Sequence, residues 1–122
     1  MVSIKSISII FLAFLMSACD SDNNISAGKA YMRLNDANVI FLDVRTREEF
    51  LQDGRIQNSV LIPLDKLKDS HNKIEKYIDK EIFVYCRSGR RSEIATRYLN
   101  EQGFRAFNLI GGFLAWEKTL SQ

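Results

Sequence analysis

Tyr85-Cys86-Arg87-Ser88-Gly89-Arg90-Arg91-Ser92 follows the apolar run Ile82-Phe83-Val84 and leads into an amphipathic segment that starts at Ser92. The order reads as strand, tight loop and helix. A cysteine at the end of a buried strand, with a glycine-containing loop running into a helix N-terminus, sits where free backbone N–H groups and the positive end of a helix dipole converge. Such a place favours an anion, and Arg87, Arg90 and Arg91 act in the same sense. The Cys86 thiol is therefore expected to ionise below the ~8.5 of a free cysteine, and the thiolate is its reactive form. The competing reading, an inert buried cysteine acting as a small hydrophobe, is opposed by the glycine, the arginines and the helix that follows.

Around this stretch, 122 residues suffice for one domain and are too few for two of ordinary size. Seventeen basic and 15 acidic residues leave a net charge of +2, which carries no footprint of a nucleic-acid binder. Cys19 and Cys86 occupy such different contexts that no disulfide is read between them. His71 is the single histidine and falls in a charged surface segment, so neither a metal site nor a cofactor is expected.

Residues 1–18 carry one charge, Lys5, and an apolar run from Ile7 to Met16, then Ser17 and Ala18. This is the layout of a secretory signal. The run is shorter than the ~20 residues that span a bilayer, which disfavours an uncleaved membrane helix. Leu15-Met16-Ser17-Ala18-Cys19 resembles a bacterial lipobox. That resemblance implies lipid on Cys19, membrane anchoring, and a place on the periplasmic side. Asp20 resembles a signal for retention in the inner membrane. An ordinary secretory peptide is the alternative. Residues 19–25 then read as the lipidated cysteine and a polar tether, and residues 26–122 as the folded domain.

Within that domain, Ser26 is expected to cap a helix over 27–34. Val39-Ile40-Phe41-Leu42 reads as a strand covered on both faces and delivers Asp43-Val44-Arg45 at its end. Thr46 and Glu49 have the spacing of a capping box for a short helix over 47–51, ended by Gly54. Val60 to Pro63 reads as a short strand, and 64–79 as two helical pieces broken near Asp69-Ser70. Ser92 opens a helix with Ile94, Ala95, Tyr98 and Leu99 inward, Gly103 closes it, and 104–109 form a last strand before Gly111-Gly112-Phe113-Leu114-Ala115-Trp116. Alternating helices and strands predict an α/β fold, a parallel β-sheet flanked by helices on both faces, with active residues at the strands' carboxyl ends.

Cys86 to Ser92, Asp43-Val44-Arg45 and the Gly111-to-Trp116 run together resemble the rhodanese family of sulfurtransferases, over the whole chain after residue 25. In the turn Gly54 to Ser59, Arg55, Asn58 and Ser59 stand where the family has histidine, glycine and alanine. The resemblance implies a rhodanese-like fold and a catalytic Cys86 that takes the outer sulfur of thiosulfate or a similar small anionic donor. The resulting persulfide passes its sulfur to cyanide, a thiol or a sulfur-accepting protein. Arg87, Ser88, Gly89, Arg90, Arg91 and Ser92 would surround the donor, with Arg91 at the family's arginine position. Asp43, Arg45, Gly111, Gly112 and Trp116 would have structural roles near the site. The phosphatase and arsenate-reductase relatives of this fold place five residues between nucleophile and arginine. Here four separate Cys86 from Arg91, and the smaller loop suits a single sulfur atom. A tethered persulfide carrier or partner-binding module is the non-enzymatic alternative. Stand-alone thiol redox work is disfavoured because no Cys-x-x-Cys pair is present.

Overall fold

The computed structural model describes residues 23–122. The leader and Cys19, with the lipidation reading placed on it, lie outside the described residues. The elements run β1 (Asn24–Ile25), α1 (Ala27–Tyr31), β2 (Val39–Asp43), α2 (Arg47–Gln52), β3 (Val60–Leu61), a 3-10 turn (Leu64–Asp69), α3 (His71–Ile74), a second 3-10 turn (Glu75–Tyr77), β4 (Glu81–Tyr85), α4 (Arg90–Glu101), β5 (Arg105–Leu109) and α5 (Gly112–Leu120). The strands form one parallel sheet in the order β1-β5-β4-β2-β3, as the alternation of elements predicts. Among the described residues no helix is long and apolar enough to cross a membrane.

Parallel strands buried on both faces send alternate side chains to opposite layers. Ile40 and Leu42 of β2, Ile82 and Val84 of β4 and Ala106 of β5 meet Leu67, Ile74, Ala95 and Leu99 on one face. Phe41, Phe83, Tyr85 and Leu109 meet Ala27, Ala30, Phe113 and Trp116 on the other. Cys86 continues the alternation of β4 onto the α4 face and packs in the first layer. After β2 the chain moves outward to β3 and returns to β4 on the other side of β2. The carboxyl ends of β2 and β4 therefore flank the topological switch point, where open α/β sheets place their ligands.

Four local expectations change. Asn24 and Ile25, read as the end of the tether, form a strand: Asn108 N–H donates to Asn23 O and Ile110 N–H to Ile25 O. The exposed edge of β5 recruits them through main-chain groups, so asparagines serve there without an apolar pattern. α1 stops at Tyr31, because i to i+3 bonds from Arg33 and Leu34 turn the chain toward β2. β3 has two residues, ending before Ile62. In α4, Ile94 is 54% exposed and the inward stripe is Ser92, Ala95, Thr96 and Leu99. Two polar residues occupy that stripe, so apolarity alone pointed the helix about one residue off its true rotation.

Candidate active site

The loop after β4 curls around the sulfur. Cys86 is 1% exposed. Gly89 N–H donates to Cys86 Sγ at 3.1 Å, Ser92 N–H at 3.4 Å, and Ser92 Oγ lies 3.3 Å from the same atom. Gly89, at φ 108°, caps α4 in a left-handed conformation that a side chain would strain. Burial pushes the thiol toward its neutral form, but the Ser92 hydroxyl and the N–H groups of Ser92, Gly89 and Ser88 outweigh it and hold the thiol below its ordinary value. Hydrogen bonds to the charged form are the cause. The expected convergence of main-chain amides on Cys86 is thus present, although the helix begins at Arg90 rather than Ser92.

The other side of the switch point is held by a buried ion pair. Asp43 and Arg45 have side chains 0% and 1% exposed. Arg45 Nε and Nη2 donate to the Asp43 carboxylate at 2.7–3.1 Å, Arg45 N–H donates to Asp43 Oδ1, and Nη2 also donates to Gly54 O at 2.7 Å. The guanidinium lies over the rings of Phe113, at 4.7 Å, and Tyr85, at 5.5 Å. Burial works against the charged guanidinium, yet its bonds to the Asp43 carboxylate hold it more firmly protonated than usual. The pair ties β2 to the Gly54 turn.

That turn accommodates all three of its unusual residues. Asn58 adopts φ 63°, a left-handed conformation that asparagine tolerates. Ser59 Oγ accepts from Tyr85 OH at 3.0 Å, while Tyr85 OH accepts from Ile56 N–H. Arg55 donates to Phe50 O and stacks on the Phe50 ring.

Arg91 is held in an ion pair beside the loop. Its Nη1 and Nη2 donate to the Glu49 carboxylate at 2.7 and 2.9 Å. Glu49 also closes the expected capping box with Thr46. Sequence reading saw only the cap, because the arginine is 42 residues distant. Arg87 and Arg90 are exposed and without a salt bridge among the described residues. The hydrogen bonds from Arg91, joined by those from Thr46, draw the Glu49 carboxyl from 4.5 down to about 2 against the opposing effect of its burial. A carboxylate depressed on folding adds stability that is complete above its unfolded value and is lost as the pH falls through the folded one. Wild-type protein is therefore expected to lose stability relative to Glu49→Gln between pH of about 4.5 and about 2, a trend readable from urea midpoints across that range.

The first amides of α5 complete the loop. Phe113 N–H donates to Cys86 O at 2.8 Å and Leu114 N–H to Arg87 O at 3.1 Å. These bonds turn the carbonyls of Cys86 and Arg87 toward α5. The approach requires a glycine at 112, where an added Cβ would lie 2.5 Å from Arg87 O and 2.6 Å from Cys86 O, at φ 61°. Gly112→Ala is expected to cost about 1–3 kcal/mol of stability, as overpacking does. It should also disorganise the Cys86 loop, lowering the alkylation rate of Cys86 at neutral pH by about tenfold. Thermal unfolding and timed iodoacetamide labelling would check both. Gly111 supplies the left-handed residue before α5, and Trp116 is buried against Phe41.

A parallel α/β domain with a buried cysteine at its switch point, and main-chain N–H groups converging on the sulfur, defines a class: α/β domains whose active loop can accommodate a sulfur anion. Residues 26–119 match the rhodanese-like domain, and the chain belongs to that family. A sulfurtransferase of Allochromatium vinosum is 37% identical over 98 residues, covering 79% of this chain and 89% of its own. The thiosulfate sulfurtransferase GlpE of Pseudoalteromonas translucida is 33% identical over 100 residues, covering 81% and 92%. The crystal structure of a rhodanese-related protein from Thermoplasma volcanium superposes with a TM-score of 0.71 at 30% identity, covering 78% of this chain and 90% of that one. Relatives so named, at this similarity and coverage, support sulfurtransferase activity in general.

Proposed function

We propose that this protein moves a sulfane sulfur from thiosulfate, or a similar small anionic donor, to a thiophilic acceptor through a persulfide on Cys86. The reading rests on one observation: N–H groups of the loop converge on Cys86 Sγ. The thiolate attacks the outer sulfur of thiosulfate, a new S–S bond forms, and the bond to the sulfonate breaks with its electron pair leaving as sulfite. The outer persulfide sulfur then passes to cyanide or a thiol, and the thiolate is restored. Charge stays on sulfur in both half-reactions, so amide donors serve throughout and no general base is required. The exposed Arg87 and Arg90 would draw the anion in. A sulfur this enclosed suits a small donor, and the relative named for thiosulfate supports that donor.

The leader supports a second element of the proposal, lipid attachment at Cys19 that tethers the domain to the periplasmic face of a bacterial membrane. Incubation with thiosulfate followed by intact mass spectrometry tests the chemistry. One added sulfur on the peptide containing Cys86, with stoichiometric sulfite, is expected, and cyanide should remove it as thiocyanate. Absence of the sulfur adduct under conditions that leave the thiol alkylatable would refute the transfer. The same spectra of membrane-extracted protein read the mass of lipid on the N-terminal cysteine.

A further inference from the structure

Asn108 stands on β5 in register with Val84 of β4 and Asn24 of β1. Strand alternation carries its side chain, like that of Ala106, to the face covered by α4, where an apolar residue is the ordinary occupant. Asn108 is 7% exposed. Its Nδ2 donates to Gly89 O at 3.2 Å, across 19 residues. Its Oδ1 is buried with no hydrogen-bond partner, as is Thr96 Oγ1, and both residues border a cavity between β5 and α4. An orphaned buried acceptor destabilises a fold. A leucine of the same branched shape would avoid that loss, so the amide is disadvantageous at this position unless its other end is put to use.

Its other end reaches the residue that matters most to the sulfur. Gly89 lies between the strand and the nucleophile: its N–H, in the peptide shared with Ser88, donates to Cys86 Sγ at 3.1 Å, and its carbonyl, in the peptide shared with Arg90, accepts from Asn108 Nδ2 and from Glu93 N–H. Glycine at φ 108° has wide backbone freedom. The first turn of α4 holds its carbonyl through Glu93 N–H, and Asn108 adds a second hold from outside the loop, its own main chain fixed by donating to Asn23 O at 2.7 Å. We propose that Asn108 is a positioning residue for the sulfur chemistry, a fixed amide on β5 that locks Gly89 so that the loop's N–H groups face Cys86.

The charged groups around the sulfur are left in place by changes at 108. These are Arg91 on α4 with its partner Glu49 on α2, and the Asp43–Arg45 pair at the end of β2. The effect of Asn108 is therefore separable from theirs. Asn108→Leu removes the orphan and the hook together, so stability and thiol chemistry should part: Tm equal to or above wild type, with the titration of Cys86 moved up by about one pH unit as a hydrogen bond to the charged form weakens. The ultraviolet absorbance of the thiolate, corrected with Cys86→Ser, reads the titration without any sulfur donor. The test is thus independent of the transfer reaction. Thr96→Val removes the other orphan without touching Gly89 and should leave the titration unchanged. Asn108→Ala is read in the same way should the leucine fail to fold. A folded Asn108 variant that titrates like wild type, or a Thr96→Val variant that shifts as far, would overturn the proposal.

Discussion

Cys86→Ala is expected to abolish thiocyanate formation from thiosulfate and cyanide, by at least about 10³-fold, while leaving the fold intact. The proposed reaction has one covalent intermediate, and no other cysteine among the described residues can carry it. The loop amides would still bind an anion, but without sulfur no persulfide forms. Cys86→Ser should be nearly as inactive: the amides of Gly89 and Ser92 assist a thiolate that already ionises below its usual value, whereas a hydroxyl is too weak an acid for the same donors to ionise it near neutrality. The alanine also shortens the side chain by one atom in a well-packed layer and is expected to reduce stability only slightly. Initial rates of thiocyanate release, with unfolding curves of the same samples, decide the matter. Activity of Cys86→Ala equal to wild type would place the chemistry elsewhere.

Asp43→Ala is expected to be the most destabilising single change in the domain, by about 3–5 kcal/mol, because it strands the buried Arg45 guanidinium without its counter-charge. At roughly 5 °C per kcal/mol for a domain of this size, Tm should fall by about 15–25 °C. The remaining acceptor, Gly54 O, and the faces of Phe113 and Tyr85 compensate only part of the charge. A buried ion pair differs from an apolar contact in one respect: removing both partners costs less than removing one. The double variant Asp43→Leu with Arg45→Met should accordingly be more stable than Asp43→Ala alone. A double variant no more stable than Asp43→Ala would mean that the pair is not the source of the effect. Calorimetry on the three proteins supplies the test.

The sulfur loop could be read from the chain because its partners are near neighbours: the donors to Cys86 come from positions three and six residues on, Gly89 and Ser92. The same holds for the Thr46–Glu49 capping box and for the Asp43–Arg45 pair, two residues apart. Asn58 kept a turn that the family builds with glycine because asparagine also enters the left-handed region. In each case a backbone segment of a few residues dictates the geometry, and residue type at fixed spacing reports it.

What needed the assembled sheet was every contact that joins separate segments. Arg91 meets Glu49, Tyr85 meets Ser59, α5 meets the Cys86 and Arg87 carbonyls, and Asn108 meets Gly89. Ile94 faces outward because Ser92 and Thr96 take the inner face of α4. Strand order and register bring these groups together, and side-chain periodicity along one element carries no record of what the neighbouring element presents. Residue order alone thus established a cysteine in an anion-stabilising loop on an α/β domain. Parallel packing across the switch point between β2 and β4 selected which charges are neutralised and which amide steadies the loop, because those choices depend on distances between segments that only the closed core brings within hydrogen-bonding range.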